Sequence, residues 1–222
     1  MANKRNFQRE LDSLIEGLQR EERVPKLLLH SCCAPCSSYC LEYLSEYFEI
    51  TVFYYNPNIY PSEEYHERAA EQKRFIESFP AKHPISYIEG AYDTKRFYEM
   101  ARGMEHIPEG GARCFACYEL RMREAAILAK KGGYDYFTTT LSISPLKNAE
   151  KINEIGEALE AELGVKHLTS DFKKKNGYKR STELSREYEL YRQNYCGCIF
   201  SLHFTGSVSY THLRAHETLS DL

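Results

Sequence analysis

Short β-rich runs alternate with longer helical ones along this chain, and that alternation leaves few architectures open. Strands are predicted at Lys26–His30, Ile50–Tyr55, Ile85–Ile88, Tyr134–Thr140 and Val165–Leu168, each a short run rich in apolar, β-branched or aromatic residues. Helices are predicted between them at Ser37–Tyr47, Ser62–Phe79, Thr94–Arg102, Cys114–Lys131 and Asn148–Leu163. Asn6–Arg20 precedes the first strand and Ser181–Tyr195 follows the last. Pro61-Ser62 with Glu64 reads as a helix start, and Gly132-Gly133 and Gly164 read as helix ends. A strand that returns through a helix runs parallel to its predecessor, so the fold class is α/β, a parallel sheet with helices on both faces. The 222 residues suffice for one such domain. Open parallel sheets build their sites at the carboxyl ends of the strands. The loops expected there are the one beginning at Cys32, then Asn56-Pro57-Asn58, Leu141–Asn148 and Asp171–Arg180.

The eight cysteines fall into three clusters: Cys32, Cys33, Cys36 and Cys40; Cys114 and Cys117; and Cys196 and Cys198. Their spacings make soft-metal ligands or an exchangeable dithiol. Thiolates from Cys32, Cys33, Cys114 and Cys117 suit either zinc or an iron–sulfur cluster. Zinc prefers two Cys-x-x-Cys knuckles on tight turns. Adjacent cysteines such as Cys32 and Cys33 should diverge, which suits the spread corners of a cubane better, so iron–sulfur is favoured over zinc. Cys114 and Cys117 open a predicted helix, where the dipole favours a thiolate. Cys36 stays open as a ligand to a second metal, while Cys40 reads as a small buried hydrophobe. Cys196-Gly197-Cys198 can close a short strained ring of the labile, catalytic kind, with Gly197 permitting the turn; the alternative is two more metal ligands.

Charge and composition bound the partners. The formal net charge is −3, yet Val165–Phe200 carries eight Lys/Arg against four acids, interleaved with Phe172, Tyr178, Tyr188, Tyr191 and Tyr195. Trp is absent and Tyr numbers 18, so Tyr and Phe are the stacking residues. Lys173, Lys174, Lys175, Tyr178, Lys179 and Arg180 are the candidate contacts for single-stranded RNA, with a solvated charged face as the plain alternative. Nothing is long and apolar enough to span a membrane and no signal peptide is visible, so a cytoplasmic protein is expected. That compartment is reducing, which argues for metal or catalytic thiols over a disulfide scaffold.

Six blocks in order resemble the cobalamin-independent epoxyqueuosine reductases, the QueH family. They are His30–Cys36; Tyr55–Ile59 with Glu64-Tyr65 and Arg68; Arg113–Tyr118; Thr139–Leu141 with Ser144–Asn148; Phe172–Lys174 with Gly177-Tyr178 and Arg180-Ser181; and Tyr191–Cys198. The match runs from about Leu27 to Ser201. The resemblance implies a fold like the adenine-nucleotide alpha hydrolases. It implies the last step of queuosine formation, in which an epoxide on a modified wobble base of tRNA loses its oxygen and becomes an alkene. It further implies Cys32, Cys33, Cys114 and Cys117 as ligands of a 4Fe–4S cluster, and Cys196 and Cys198 as a redox-active pair. A second iron beside the cluster has Cys36 as a candidate ligand. The implied partners are tRNA bearing epoxyqueuosine and a separate electron donor, with neither ATP nor cobalamin. Tyr55, Asn56 and Asn58 are candidates for the wall of the base pocket.

Two other classes compete. An ATP-dependent tRNA thiolase of the same fold group needs a glycine-rich phosphate loop after the first strand; His30–Ser37 contains no glycine. An iron–sulfur sensor or zinc-stabilised RNA-binding protein would use the metal and the basic stretch but not Cys196-Gly197-Cys198. In domain terms, residues 1–25 are read as an N-terminal helix, 26–201 as the reductase domain and 202–222 as a tail. The hexapeptide Val208–Leu213 is what one reading frame of a widely used transposase-adapter DNA encodes. Residues from about Val208 onward are therefore expected to be sequencing read-through, and His203, His212 and His216 are not recruited as ligands.

Overall fold

A computed structural model describes residues 5–204, and the tail expectation from Val208 lies outside the described residues. The elements are α1 (Phe7–Arg20), β1 (Lys26–Ser31), α2 (Ala34–Leu44), β2 (Glu49–Tyr54), α3 (Ser62–Ser78), β3 (Ile85–Glu89), α4 (Thr94–Ala101), α5 (Ala112–Gly132), β4 (Tyr136–Thr139), a 3-10 turn (Thr140–Ile143), α6 (Ala149–Leu163), β5 (Lys166–His167), α7 (Gly177–Glu187) and α8 (Ile199–Phe204). The five strands form one parallel sheet in the order β3-β2-β1-β4-β5. This is the expected α/β class and is consistent with an adenine-nucleotide alpha hydrolase-like fold. No helix among the described residues is long and apolar enough to cross a membrane.

The central strand shows why both faces need helices. Leu27, Leu28 and Leu29 are all fully buried, and alternation sends them to opposite sides. Leu27 and Leu29 pack with Leu11, Ile15, Leu41 and Phe75, from α1, α2 and α3. Leu28 packs with Met122, Ala126, Ile152 and Leu159, from α5 and α6. Helix ends follow local chemistry: Asn148 Oδ1 accepts from Lys151 N at 3.0 Å to start α6, and Gly133 and Gly164 take left-handed conformations at φ +67° and +75°.

Most boundaries shift by a residue or two, and three differences from expectation shape the site. Helix α2 begins at Ala34 rather than Ser37, because Pro35 in the first turn has no N–H to leave unpaired. The predicted strand end at Thr140 is a 3-10 turn instead, since Thr139 Oγ1 accepts from Leu141 N at 3.2 Å and turns the chain. Helix α7 spans Gly177–Glu187, not Ser181–Tyr195. Glu189 adopts φ +52° just after it, and the segment from Tyr188 to Cys198 runs irregularly back over the sheet's carboxyl edge. It is pinned there by Tyr191 N to Glu71 Oε1 at 2.6 Å, Tyr195 Oη to the Tyr60 carbonyl at 2.7 Å and Tyr60 N to the Gly197 carbonyl at 2.8 Å.

Candidate active site and metal centre

From β1 the chain proceeds to β2 on one side, while β4 lies on the other. The gap at their carboxyl ends is the topological switch point where such sheets bind ligands. His30, fully buried, braces it. Its Nε2 lies 3.1 Å from the Tyr55 carbonyl and its Nδ1 2.8 Å from Thr139 Oγ1. A carbonyl can only accept, so Nε2 carries the proton and Nδ1 accepts from the threonine hydroxyl. Burial, with the Arg121 guanidinium behind it, pushes the imidazole down to about 4.

The first cysteine cluster begins two residues on. The chain bends at Cys32 just beyond the strand, so the alternation that separates neighbouring side chains no longer applies. The Cys32 and Cys33 sulfurs converge to 3.8 Å instead of diverging. Cys36, in the first turn of α2, joins them, and the three sulfurs lie within 4.8 Å of one another. A convergent, buried, all-thiol set is a soft-metal donor set. Its protons are unevenly shared. Hydrogen bonds from Cys33 and Cys36, with the charges of Lys147 and Arg121, hold the Cys32 thiol well below the usual range despite burial. Those same bonds, to Cys32 above all, push Cys33 and Cys36 up. Cys40 is fully buried in the core and donates to the Cys36 carbonyl at 3.5 Å, as a small hydrophobe does.

Cys114 and Cys117 share one face of the first turns of α5. Cys114 Sγ accepts from Gly110 N at 3.3 Å and packs in the same apolar cluster as Cys32 and Cys33. Cys117 packs instead with Cys198 and Phe97, and burial pushes its thiol up to about 12, against the pull of Arg121. Arg121, one turn further along, is 1% exposed. Its Nε donates to the Cys117 carbonyl at 3.2 Å and its Nη1 to Asn56 Oδ1 at 3.4 Å, while its Nη2 is buried without a partner among the described residues. A guanidinium buried this way needs negative charge nearby, and thiolates or a thiolate-held cluster would supply it.

The third cluster arrives on the irregular segment after α7. Cys196 Sγ receives a hydrogen bond from Lys147 Nζ, in the β4–α6 loop, at 3.1 Å. Gly197 sits at φ +112°, and a Cβ there would stand 2.9 Å from Arg68 Nη1 and 3.2 Å from Ile59 Cγ1. Cys198 is a buried free thiol raised by burial first and then by the neighbouring Cys196. The cavity bounded by these elements has a volume of about 240 Å³ and is lined by Cys32, Cys33, Cys36, Arg121, Lys147 and Cys196. Arg68, Arg192, Tyr178 and Tyr195 complete its cationic and aromatic wall.

The profile of a family described as "Epoxyqueuosine reductase QueH" matches residues 27–203, a span that contains all of these groups. The chain belongs to the QueH family. Among curated relatives carrying that same description, one from Staphylococcus epidermidis is 45% identical over 88% of this chain and 84% of its own length. One from Streptococcus pyogenes serotype M1 is 42% identical over 90% and 80%. A more distant one from Thermotoga maritima is 36% identical over 79% of this chain and 90% of its own length.

In this QueH-family chain the expected RNA-contacting residues are not gathered at one place. Tyr178 is on the cavity wall and 42% exposed, with Arg192 over its ring at 5.7 Å. Lys173 pairs with Asp171 at 3.0 Å and Lys175 with Asp12 at 2.7 Å. Arg180 pairs with Glu42 at 2.6 Å, and Lys179 lies 4.0 Å from Glu183. Lys174 is exposed without an ion pair among the described residues and, with Lys173, borders a separate depression beside Arg5 and Asn148. Tyr55, Asn56 and Asn58 are buried and do not line the cavity; Asn56 instead clamps the Ser31 carbonyl at 2.9 Å. Sequence reasoning did not single out Lys147 or Arg121. Lys147 stands inside the Ser144–Asn148 block that carries the resemblance, while nothing local sets Arg121 apart from the other basic residues of α5.

Proposed function

We propose that this chain reduces epoxyqueuosine to queuosine at the wobble position of tRNA. The observation that carries this reading is the cavity at the switch point, where Cys32, Cys33 and Cys36 meet Cys196 from the far end of the chain under a cationic wall, with Cys114 packed behind in the same apolar cluster as Cys32 and Cys33. It is supported by relatives that carry the name epoxyqueuosine reductase. Removing the epoxide oxygen takes two electrons and two protons and releases water. Cys32, Cys33, Cys114 and Cys117 would hold a 4Fe–4S cluster, with Cys36 as a candidate ligand of a second iron; when bound, these would supply one-electron transfer and a Lewis acid for the epoxide oxygen. Arg121 and Lys147 offset the negative charge that thiolates bring into a buried site. Tyr178 and Arg192 offer an unstacked anticodon base a ring and a planar cation at the cavity wall. Cys196 and Cys198 act as the dithiol that stores electrons and is reset by a separate donor.

Anaerobic purification with iron and sulfide counts, followed by nucleoside mass analysis of tRNA carrying epoxyqueuosine, tests this reading. Queuosine should appear with the native chain. Cys32→Ala, Cys33→Ala, Cys114→Ala and Cys117→Ala should each lose iron and activity, whereas Cys40→Ala should keep both. A colourless zinc-loaded protein, or Cys33→Ala with full iron and sulfide, would remove the cluster assignment.

A further inference from the structure

The Cys196–Cys198 pair is not symmetric, and the asymmetry points to a role for the residue beside it. Cys196 faces the cavity with the Lys147 ammonium at 3.1 Å. Cys198 is buried behind it, against Cys117 and Phe97. We propose that Lys147 is the proton carrier of the reduction, coupling proton delivery at the epoxide oxygen to oxidation of the Cys196 sulfur. The proposal rests on the dithiol reading above.

The balance closes on these groups alone. The starting set is the hydrogen-bonded Lys147–Cys196 pair, counted as ammonium and thiolate, with a Cys198 thiol and the epoxide. Both carbon–oxygen bonds break and a carbon–carbon double bond forms. The two sulfurs lose two electrons as the S–S bond forms. One proton leaves Lys147, the other leaves Cys198, and both end on oxygen as water. The products are alkene, water, disulfide and a neutral Lys147 amine, with net charge unchanged. A later donor returns two electrons and two protons to the disulfide.

Three features of the site support this assignment. The other cations on the cavity wall, Arg68, Arg121 and Arg192, are guanidinia that do not release protons in proteins. The Tyr195 hydroxyl already donates to the Tyr60 carbonyl at 2.7 Å, and Glu109, the carboxylate on the lining, is exposed. The charge environment of Lys147 also changes sign of effect during the reaction. Burial disfavours its ammonium, while Cys196, Tyr118 and Cys32 favour it and outweigh burial. Oxidising Cys196 removes the sulfur charge 3.1 Å from the ammonium, so the part-buried lysine gives up its proton more readily. Proton release therefore follows electron release without a separate trigger.

Lys147→Arg and Lys147→Met separate the two halves of the idea. Arginine keeps a cation and a donor beside the sulfur but holds its proton; methionine keeps neither. With pre-reduced, iron-loaded protein, alkylation of Cys196 by iodoacetamide at neutral pH, mapped by mass, should stay within about 2-fold of native in Lys147→Arg and fall about 10-fold in Lys147→Met. Single turnover of epoxyqueuosine tRNA should fall on the order of 10²-fold or more in both variants, with iron content unchanged. A native single-turnover rate in Lys147→Arg would overturn the proton-carrier role. Unchanged Cys196 alkylation in Lys147→Met would overturn the ammonium–thiolate pairing. Full activity in Cys196→Ser would instead defeat the dithiol reading on which the proposal stands.

Discussion

Replacing His167 by Leu should flatten the acid limb of this protein's stability profile, because the imidazole is buried with nowhere to put a proton. His167 lies in β5, 6% exposed, with its ring 5.3 Å from that of Phe137 and both ring nitrogens unpartnered among the described residues. Burial, assisted by the charge of Arg5, pushes it down from 6.5 to about 3. The unfolded chain thus binds a proton below about pH 6.5 that the folded chain refuses, so stability is complete above that pH and is lost as pH falls toward 3. The linkage relation between those two values costs about 2 kcal/mol at pH 5 relative to pH 8, and about 5 kcal/mol over the whole range. Leu removes the titration and the unpaired nitrogens, at similar volume. Anaerobic urea unfolding of both proteins at pH 8 and pH 5 isolates the effect, since acid protonation of the thiol sites is common to both. The variant should gain about 2 kcal/mol on the native protein between pH 8 and pH 5. An identical difference at the two pH values would refute the reasoning.

The remaining predictions concern the site and its surface. Gly197→Ala forces a side chain into φ +112° and toward Arg68 and Ile59, at a cost of roughly 1–3 kcal/mol. Oxidation of the Cys196–Cys198 pair by diamide should therefore slow with iron content intact, and a native oxidation rate would contradict the placement. Lys174→Ala alone should reduce the salt slope of tRNA binding by about 1. Lys173→Ala and Lys175→Ala, whose charges are already paired with Asp171 and Asp12, should change it less. Equal effects from all three would show that the pairs open on binding.

Much of this protein is legible along the chain because the physics that forms its elements is local. Strand and helix periods, the helix start at Pro61-Ser62 and the glycines at positions 133 and 164 are set by neighbours a few residues away, and they specify a parallel α/β fold. The cysteine clusters announce soft-metal or dithiol chemistry from their spacing, but spacing misjudges which sulfurs meet, since Cys32 and Cys33 converge to 3.8 Å where adjacency predicts divergence. What local pattern does not encode is which loops share an edge. Only the order β3-β2-β1-β4-β5 brings β1 beside β4, so that His30 lies against Thr139. Cys36 turns toward Cys32 and Cys33 because the chain bends past the strand and α2 begins early, which a helix predicted from Ser37 does not contain. The shortened α7 returns Cys196 to the cavity, where Lys147 meets its sulfur, and Arg121 closes on Cys117 and Asn56. Those contacts depend on buried charge and long-range closure, and both are settled only when the sheet is assembled and its core is closed to water.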